Sequence, residues 1–263
     1  MSSAEQPTIR IIHNMARAGG TVMGKCVGCM DGVAMLSEIH PAAVRMFNPL
    51  EQARDWFGLL TADELRALQG APFADAIALI ERRARERGLC LVIRDWAHLD
   101  FTGVPWVPKP AYRFALVDAL AGRFQLRRAA LVRHPVDQWL SVRKLDLVKG
   151  ALDNRTFSLK AFLRGYAHYA EQGAQVGFFR YEDFTRQPEQ VMTRLCEALA
   201  LPFDAGFIDK WPAYETITGS RQTNREEGAI RPLPRQPCEP RLLAQFRANR
   251  DYRRAVRLLG YEP

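Results

Sequence analysis

Apolar positions along this chain gather into short runs separated by stretches of helical period, the pattern of strands interleaved with helices. The first run, Ile9, Ile11 and Ile12, has the β-branched content of a buried strand, and it is followed by Arg17-Ala18-Gly19-Gly20-Thr21 and a segment that reads as a helix. Val33 to Leu36 predicts a second strand, ending at Ser37-Glu38-Ile39-His40-Pro41. Residues 49–88 are helical in character, with Thr61 and Asp75 as N-cap candidates. Leu89 to Ile93 is a continuous apolar run, suited to a strand covered on both faces. After it come Arg94-Asp95-Trp96-Ala97-His98, a loop from Phe101 to Pro110, and a helix around Ala111 to Ala121. A strand is predicted at Ala129 to Val132, a helix from about Val136, an amphipathic helix at Leu159 to Glu171, a strand at Val176 to Arg180 and a helix at Glu189 to Leu199. Residues 219–240 carry many arginines and prolines with little periodicity, and helical spacing returns from Leu242 to Leu259.

Alternating strands and helices with short connections imply an α/β fold: a central, mainly parallel sheet with helices on both faces. Ligands of such sheets collect at the carboxyl ends of the strands. The Arg17 loop, Arg94 to His98, Arg133 and Tyr181 each follow a predicted strand, so they are expected to converge on one edge. The length, 263 residues, fits a single domain over 1–263, with a helical insertion at about 49–88 and a C-terminal helical segment at about 240–263.

A net charge of +8 suits an anionic partner. It is not packed into a basic tail or an aromatic-interleaved patch, so a polyanionic cofactor or acidic substrate is expected rather than nucleic acid. No apolar run is long enough to span a bilayer, and the short polar N-terminus has no leader pattern, which makes the cytoplasm the default address. Nothing in the pattern specifies an oligomeric state. Cys26 and Cys29 have C-x-x-C spacing but fall inside the first predicted helix, and no second pair or histidine cluster completes a metal site, so they read as small buried thiols.

Three stretches carry candidate chemistry. Strand, glycine turn and helix start form a cradle for a phosphate-like anion, because the first N–H groups of a helix are unpaired and glycine lets the anion approach them. One register, Gly19 to Cys26, nearly matches the nucleotide loop G-x-x-x-x-G-K-[ST], with Lys25 as its lysine. Cys26, however, stands where a hydroxyl should bind Mg²⁺, and a thiol is a poor ligand for so hard a cation. The second stretch, Arg133-His134-Pro135 through Ser141, places an arginine at a strand end and a serine in the second turn of the next helix, where both can reach one phosphate. The third is Tyr181-Glu182-Asp183-Phe184 with Pro188, in which Glu182 and Asp183 read as turn or capping residues.

Together these stretches resemble the sulfotransferases that use 3′-phosphoadenosine 5′-phosphosulfate (PAPS). The resemblance covers roughly residues 8–201 and implies a three-layer, P-loop-like α/β/α fold. It assigns the donor loop to Arg17, Ala18, Gly19, Gly20, Thr21 and Val22, with Arg17 replacing the family's lysine and Ala18 lacking the usual hydroxyl. It assigns the 3′-phosphate to Arg133 and Ser141, the adenosine neighbourhood to Tyr181, and a late loop over the donor to Arg221 and Arg225. The implied reaction moves a sulfuryl group to a hydroxyl or amine of a small-molecule or glycan acceptor without a metal. A base must take the acceptor's proton. His98, Asp95 and Glu38 are the candidates, His40 competes, and a structural role stands open for each. Residues 33–47 and 101–110, with Phe101 and Trp106, are expected to line the acceptor pocket. Two other readings remain: an ATP-dependent small-molecule kinase acting through Lys25, and a non-catalytic basic protein that binds nucleic acid.

Overall fold

The computed structural model describes residues 6–219 and 229–262. Its strands are β1 (Thr8–Asn14), β2 (Val33–Ile39), β3 (Cys90–Asp95), β4 (Gln125–Val132) and β5 (Phe178–Arg180). They form one sheet in the order β2-β3-β1-β4-β5, and all four pairings are parallel. Helices lie between them: α1 (Gly20–Gly28), α2 (Pro49–Phe57), α3 (Ala62–Ala67), α4 (Phe73–Glu86), α5 (His98–Thr102), α6 (Ala115–Leu120), α7 (Pro135–Val142), α8 (Asp146–Asp153) and α9 (Leu159–Val176). After β5 come α10 (Tyr181–Arg186), α11 (Pro188–Leu199), α12 (Phe207–Lys210), α13 (Pro240–Ala248) and α14 (Arg250–Leu258).

Strand side chains alternate between faces, and the alternation assigns the layers. Ile12, Met35, Val92, Ala129 and Leu131 pack with Met23 and Val27 of α1 and Val191, Met192 and Leu195 of α11. On the opposite face, Ile9, Ile11, Leu36, Leu91 and Ile93 meet Ala53, Ile77, Ile80 and Leu116, so α2, α4 and α6 cover β2 and β3. Ala130 and Val132 on that second face meet Phe162, Tyr166 and Ala170 of α9, together with Tyr252 and Val256 of α14. The result is a three-layer α/β/α arrangement with a P-loop-like turn after its central strand, β1.

Several element bounds differ from the sequence pattern. β4 starts at Gln125 rather than Ala129, since its first four residues pair with Thr8 to Ile11 although three of them are polar. The helix expected from Ala111 begins only at Ala115, after Tyr112 has taken a left-handed φ of 55°. His98, expected in the stretch just after a strand, starts the short helix α5. Phe101, expected in an acceptor pocket, is fully buried against Phe114 and Tyr169 and belongs to the core.

Candidate functional site

The donor-loop candidate is a tight turn between β1 and α1. The amide of Ala18 bonds to the Met15 carbonyl at 3.2 Å, and Arg17 and Gly19 adopt left-handed φ values of 65° and 93°. At Gly19 a side chain is excluded twice, by the φ value and by the Tyr181 ring, which an added Cβ would overlap. Helix α1 begins at Gly20 with no side-chain cap and no acidic residue in its first turn, so its first amides and positive dipole end are left for an anion.

That start also bears on the choice of register. A nucleotide loop of the form G-x-x-x-x-G-K wraps non-helical backbone around phosphates, yet here Gly20 to Gly24 is already helix. Lys25 sits in the second turn, away from the helix N-terminus. Gly24 has another use: a Cβ there would lie 3.0 Å from Ile217 and 3.2 Å from the Arg94 stem.

Arg17, Arg133, Ser141, Tyr181 and the loop glycines come together at the carboxyl ends of β1, β4 and β5. Arg17 Nε donates to Ser141 Oγ at 2.8 Å. Arg133 Nη1 donates to the Arg17 carbonyl at 3.3 Å, and its guanidinium lies 5.1 Å from the centre of the Tyr181 ring. Gln138, one helical turn before Ser141 on the same face of α7, donates to the Ala16 carbonyl at 2.8 Å. Its role was legible as the i, i+3 partner of Ser141 but is absent from the motif.

The turn from Arg133 into α7 is pinned on three sides. Tyr166 Oη donates to the Arg133 carbonyl at 2.6 Å, and the His134 amide donates to Glu182 Oε1 at 2.8 Å. Glu182 also accepts from Tyr261 Oη at 2.8 Å, so it ties the Arg133 turn to Tyr261 rather than capping its own helix. The His134 ring accepts at Nδ1 from the Val136 amide and from Arg235, while Nε2–H donates to the Glu262 carbonyl. Burial and the Arg235 charge hold His134 below its ordinary pKa, in keeping with a neutral ring.

The three base candidates stand in different surroundings. His98 is fully buried, neither ring nitrogen has a hydrogen-bond partner among the described residues, and burial lowers its pKa to about 4. Asp95 is also fully buried. Its Oδ2 accepts from His13 Nδ1 at 2.6 Å, His13 Nε2 accepts from Arg128 Nε at 3.1 Å, and Phe114 stacks on the His13 ring at 3.7 Å. Burial pushes Asp95 up and His13 down, so the pair is a neutral imidazole on a desolvated carboxyl, sealed from solvent. His40 donates through Nε2 to Asp100 Oδ1 at 3.1 Å and caps the turn at 41–43 through Nδ1, a fastening role.

Glu38 differs from all of these. It occupies a break in the β2–β3 register between Ser37 and Ile39, at a left-handed φ of 57°, and its side chain is 19% exposed. A non-glycine residue in that region costs about 1–3 kcal/mol, and such outliers gather at functional sites. Gly219 lies beside it: a Cβ there would be 3.6 Å from Glu38 Oε1 and 3.4 Å from Thr21 Oγ1. Glu38 therefore borders the donor loop. Arg221 and Arg225 lie outside the described residues.

On the acceptor side, Trp106 is 42% exposed and packs edge-on against Trp96 at 5.4 Å, which in turn meets Phe47 at 5.1 Å. The Trp96 amide bonds to the Ile39 carbonyl, so this aromatic row starts one residue from Glu38. No described helix is long and apolar enough to cross a membrane.

No family model matches the chain, and no curated protein matches it by sequence. Solved structures do. The sulfotransferase domain from the Synechococcus PCC 7002 olefin synthase matches at 18% identity and a TM-score of 0.60, over 99% of this chain and 98% of that one. The sulfotransferase domain from the curacin biosynthetic pathway matches at 14% identity and a TM-score of 0.61, over 98% of this chain and 99% of that one. At these identities the likeness is one of fold, and this chain has the fold of a sulfotransferase domain.

Proposed function

We propose that the chain, acting as one domain, transfers a sulfuryl group from PAPS to a hydroxyl or amine of an acceptor. The observation that carries this reading is the meeting of Arg17, Ser141, Arg133 and Tyr181 around an uncapped helix start. The residues fit a bis-anionic nucleotide in three ways. Two guanidinium groups supply charge, the α1 amides supply oriented donors, and Tyr181 supplies an aromatic face pressed so close to Gly19 that no side chain fits between them.

When bound, the donor supplies an activated sulfuryl group. Arg17 and the amides of Gly20, Thr21 and Val22 would neutralise the charge that develops on the leaving oxygen. Arg17 is already aimed by its bond to Ser141, and preorganised donors of this kind contribute most in a water-poor site. Arg133 and Ser141 would hold the 3′-phosphate, and Tyr181 would flank the adenosine. Glu38 would take the acceptor's proton. It borders both the loop and solvent, whereas His98 and Asp95 are sealed in the core. The aromatic row of Phe47, Trp96 and Trp106 favours an acceptor whose hydroxyl is carried on an apolar or ring-bearing body.

Transfer of ³⁵S from labelled PAPS to a panel of phenol, steroid, sugar, lipid and peptide hydroxyls tests the reading. Label should pass to at least one class, and Glu38→Gln should slow that transfer by about 10²–10⁴-fold. Transfer to none of them would count against the donor, and undiminished transfer in Glu38→Gln would count against the base.

A further inference from the structure

Arg94 lies on β3, between two strands of the sheet, where its neighbours Leu91, Val92 and Ile93 are core residues. Its side chain is 2% exposed. Burying a guanidinium is costly unless every donor finds a partner, so its presence in the middle of a sheet calls for a compensating role. Nε and Nη2 both donate to Ser37 Oγ, at 3.1 and 2.7 Å. Nη2 also donates to the Thr218 carbonyl at 3.0 Å and to Thr218 Oγ1 at 2.9 Å, and it stands 3.5 Å from Glu38 Oε1. Ser37 Oγ in turn accepts from the Thr218 amide at 3.2 Å. The Arg94 stem runs past Gly24, where a larger residue would crowd it.

Three chain segments thus meet at one cation: the kink of β2 at Ser37–Glu38, the end of β3, and the stretch Ile217 to Gly219, whose glycine sits beside Thr21 and Glu38. The guanidinium is too deeply buried to touch an acceptor. We propose that Arg94 is a positioning residue: it holds the left-handed Glu38 peptide and the Thr218–Gly219 segment in fixed register beside Thr21 of the donor loop. This rests on the reading of Glu38 and the donor loop above. It also gives Gly24 a reason, since the glycine that mimics a nucleotide-loop residue makes room for the Arg94 stem.

Amide exchange followed by NMR in the ligand-free protein tests the proposal, together with calorimetric titration of 3′,5′-diphosphoadenosine. In Arg94→Met, exchange at Thr218 should rise at least tenfold while Leu131 in β4 keeps its protection, and affinity for the diphosphate should fall at least threefold. Arg94→Lys, which keeps the charge, should recover part of both, and Ser37→Ala should reproduce the rise at Thr218. Unchanged exchange at Thr218, an equal rise at Leu131, or Arg94→Lys indistinguishable from Arg94→Met would each overturn it. A wild-type protein that binds no diphosphate would instead overturn the donor assignment, and the exchange result would stand apart from it.

Discussion

At Gly19 two constraints of different origin meet. A side chain there costs about 1–2 kcal/mol from the left-handed φ alone, and it also displaces the Tyr181 ring. Gly122 has a similar φ of 82° but open space around it, so it isolates the backbone cost. Gly19→Ala is expected to lower the melting temperature more than Gly122→Ala and to weaken diphosphate binding at least tenfold, whereas Gly122→Ala leaves binding unchanged. Calorimetry on the two variants checks both. His98 sets a second expectation at this scale. Its pKa is about 4 in the folded chain against an ordinary 6.5, so the unfolded chain binds more protons between those values. The stabilising effect of the neutral ring is therefore complete above pH 6.5 and is lost as pH falls toward 4. It amounts to at most about 3 kcal/mol over that window, to which burial of His13 adds in the same direction. Replacing His98 with leucine should flatten the denaturation midpoint between pH 6.5 and 4.

Among the elements, α9 does the most to hold the sheet's carboxyl edge. The single O–H of Tyr169 is shared between the His13 and Leu131 carbonyls, at 2.8 and 2.9 Å from Oη, bridging the ends of β1 and β4 just before the donor loop and the Arg133 turn. Tyr169→Phe removes this shared bond from a buried place. It should cost about 1–3 kcal/mol in chemical denaturation and loosen the amides of Met15 and Val132 ahead of those in β2. β1 was legible through its β-branched Ile9, Ile11 and Ile12, and β3 through a continuous apolar run that suits a doubly covered strand. β4 was half legible: three of its first four residues, Gln125, Arg127 and Arg128, are polar, and pairing with β1 makes them strand. Helix α5 was not legible, because a five-residue helix leaves no periodic trace. With it went the fate of His98, which sequence position puts just after a strand, and of Phe101, expected in a loop; packing puts both in the core. Arg94 was named only as one residue of a strand-end stretch, since nothing local reveals that Ser37, Glu38 and Thr218 come to meet it from distant parts of the chain.

Across the whole molecule, one geometric fact organises the rest. In a parallel sheet every carboxyl end lies on one edge, so Arg17, Glu38, Arg133 and Tyr181 converge although up to 164 positions separate them in the sequence. The opening turn of α1 bears on which anion the proposed site would take. Helix from Gly20 onward leaves no non-helical loop to wrap a triphosphate, and Lys25 is carried away from the amides that an anion would approach. What remains is a site with two guanidinium groups: Arg17, bonded to Ser141, and Arg133, bonded to the Arg17 carbonyl and lying over Tyr181. On the proposed reading, Arg17 and Arg133 would meet the 5′ and 3′ anionic groups of one nucleotide. Thermal-shift measurement with 3′,5′-diphosphoadenosine and, separately, with Mg·ATP tests this most directly. Stabilisation by the diphosphate alone, lost in Arg133→Ala and retained in Lys25→Ala, is the expected result. Stabilisation by Mg·ATP alone, lost in Lys25→Ala, would contradict it.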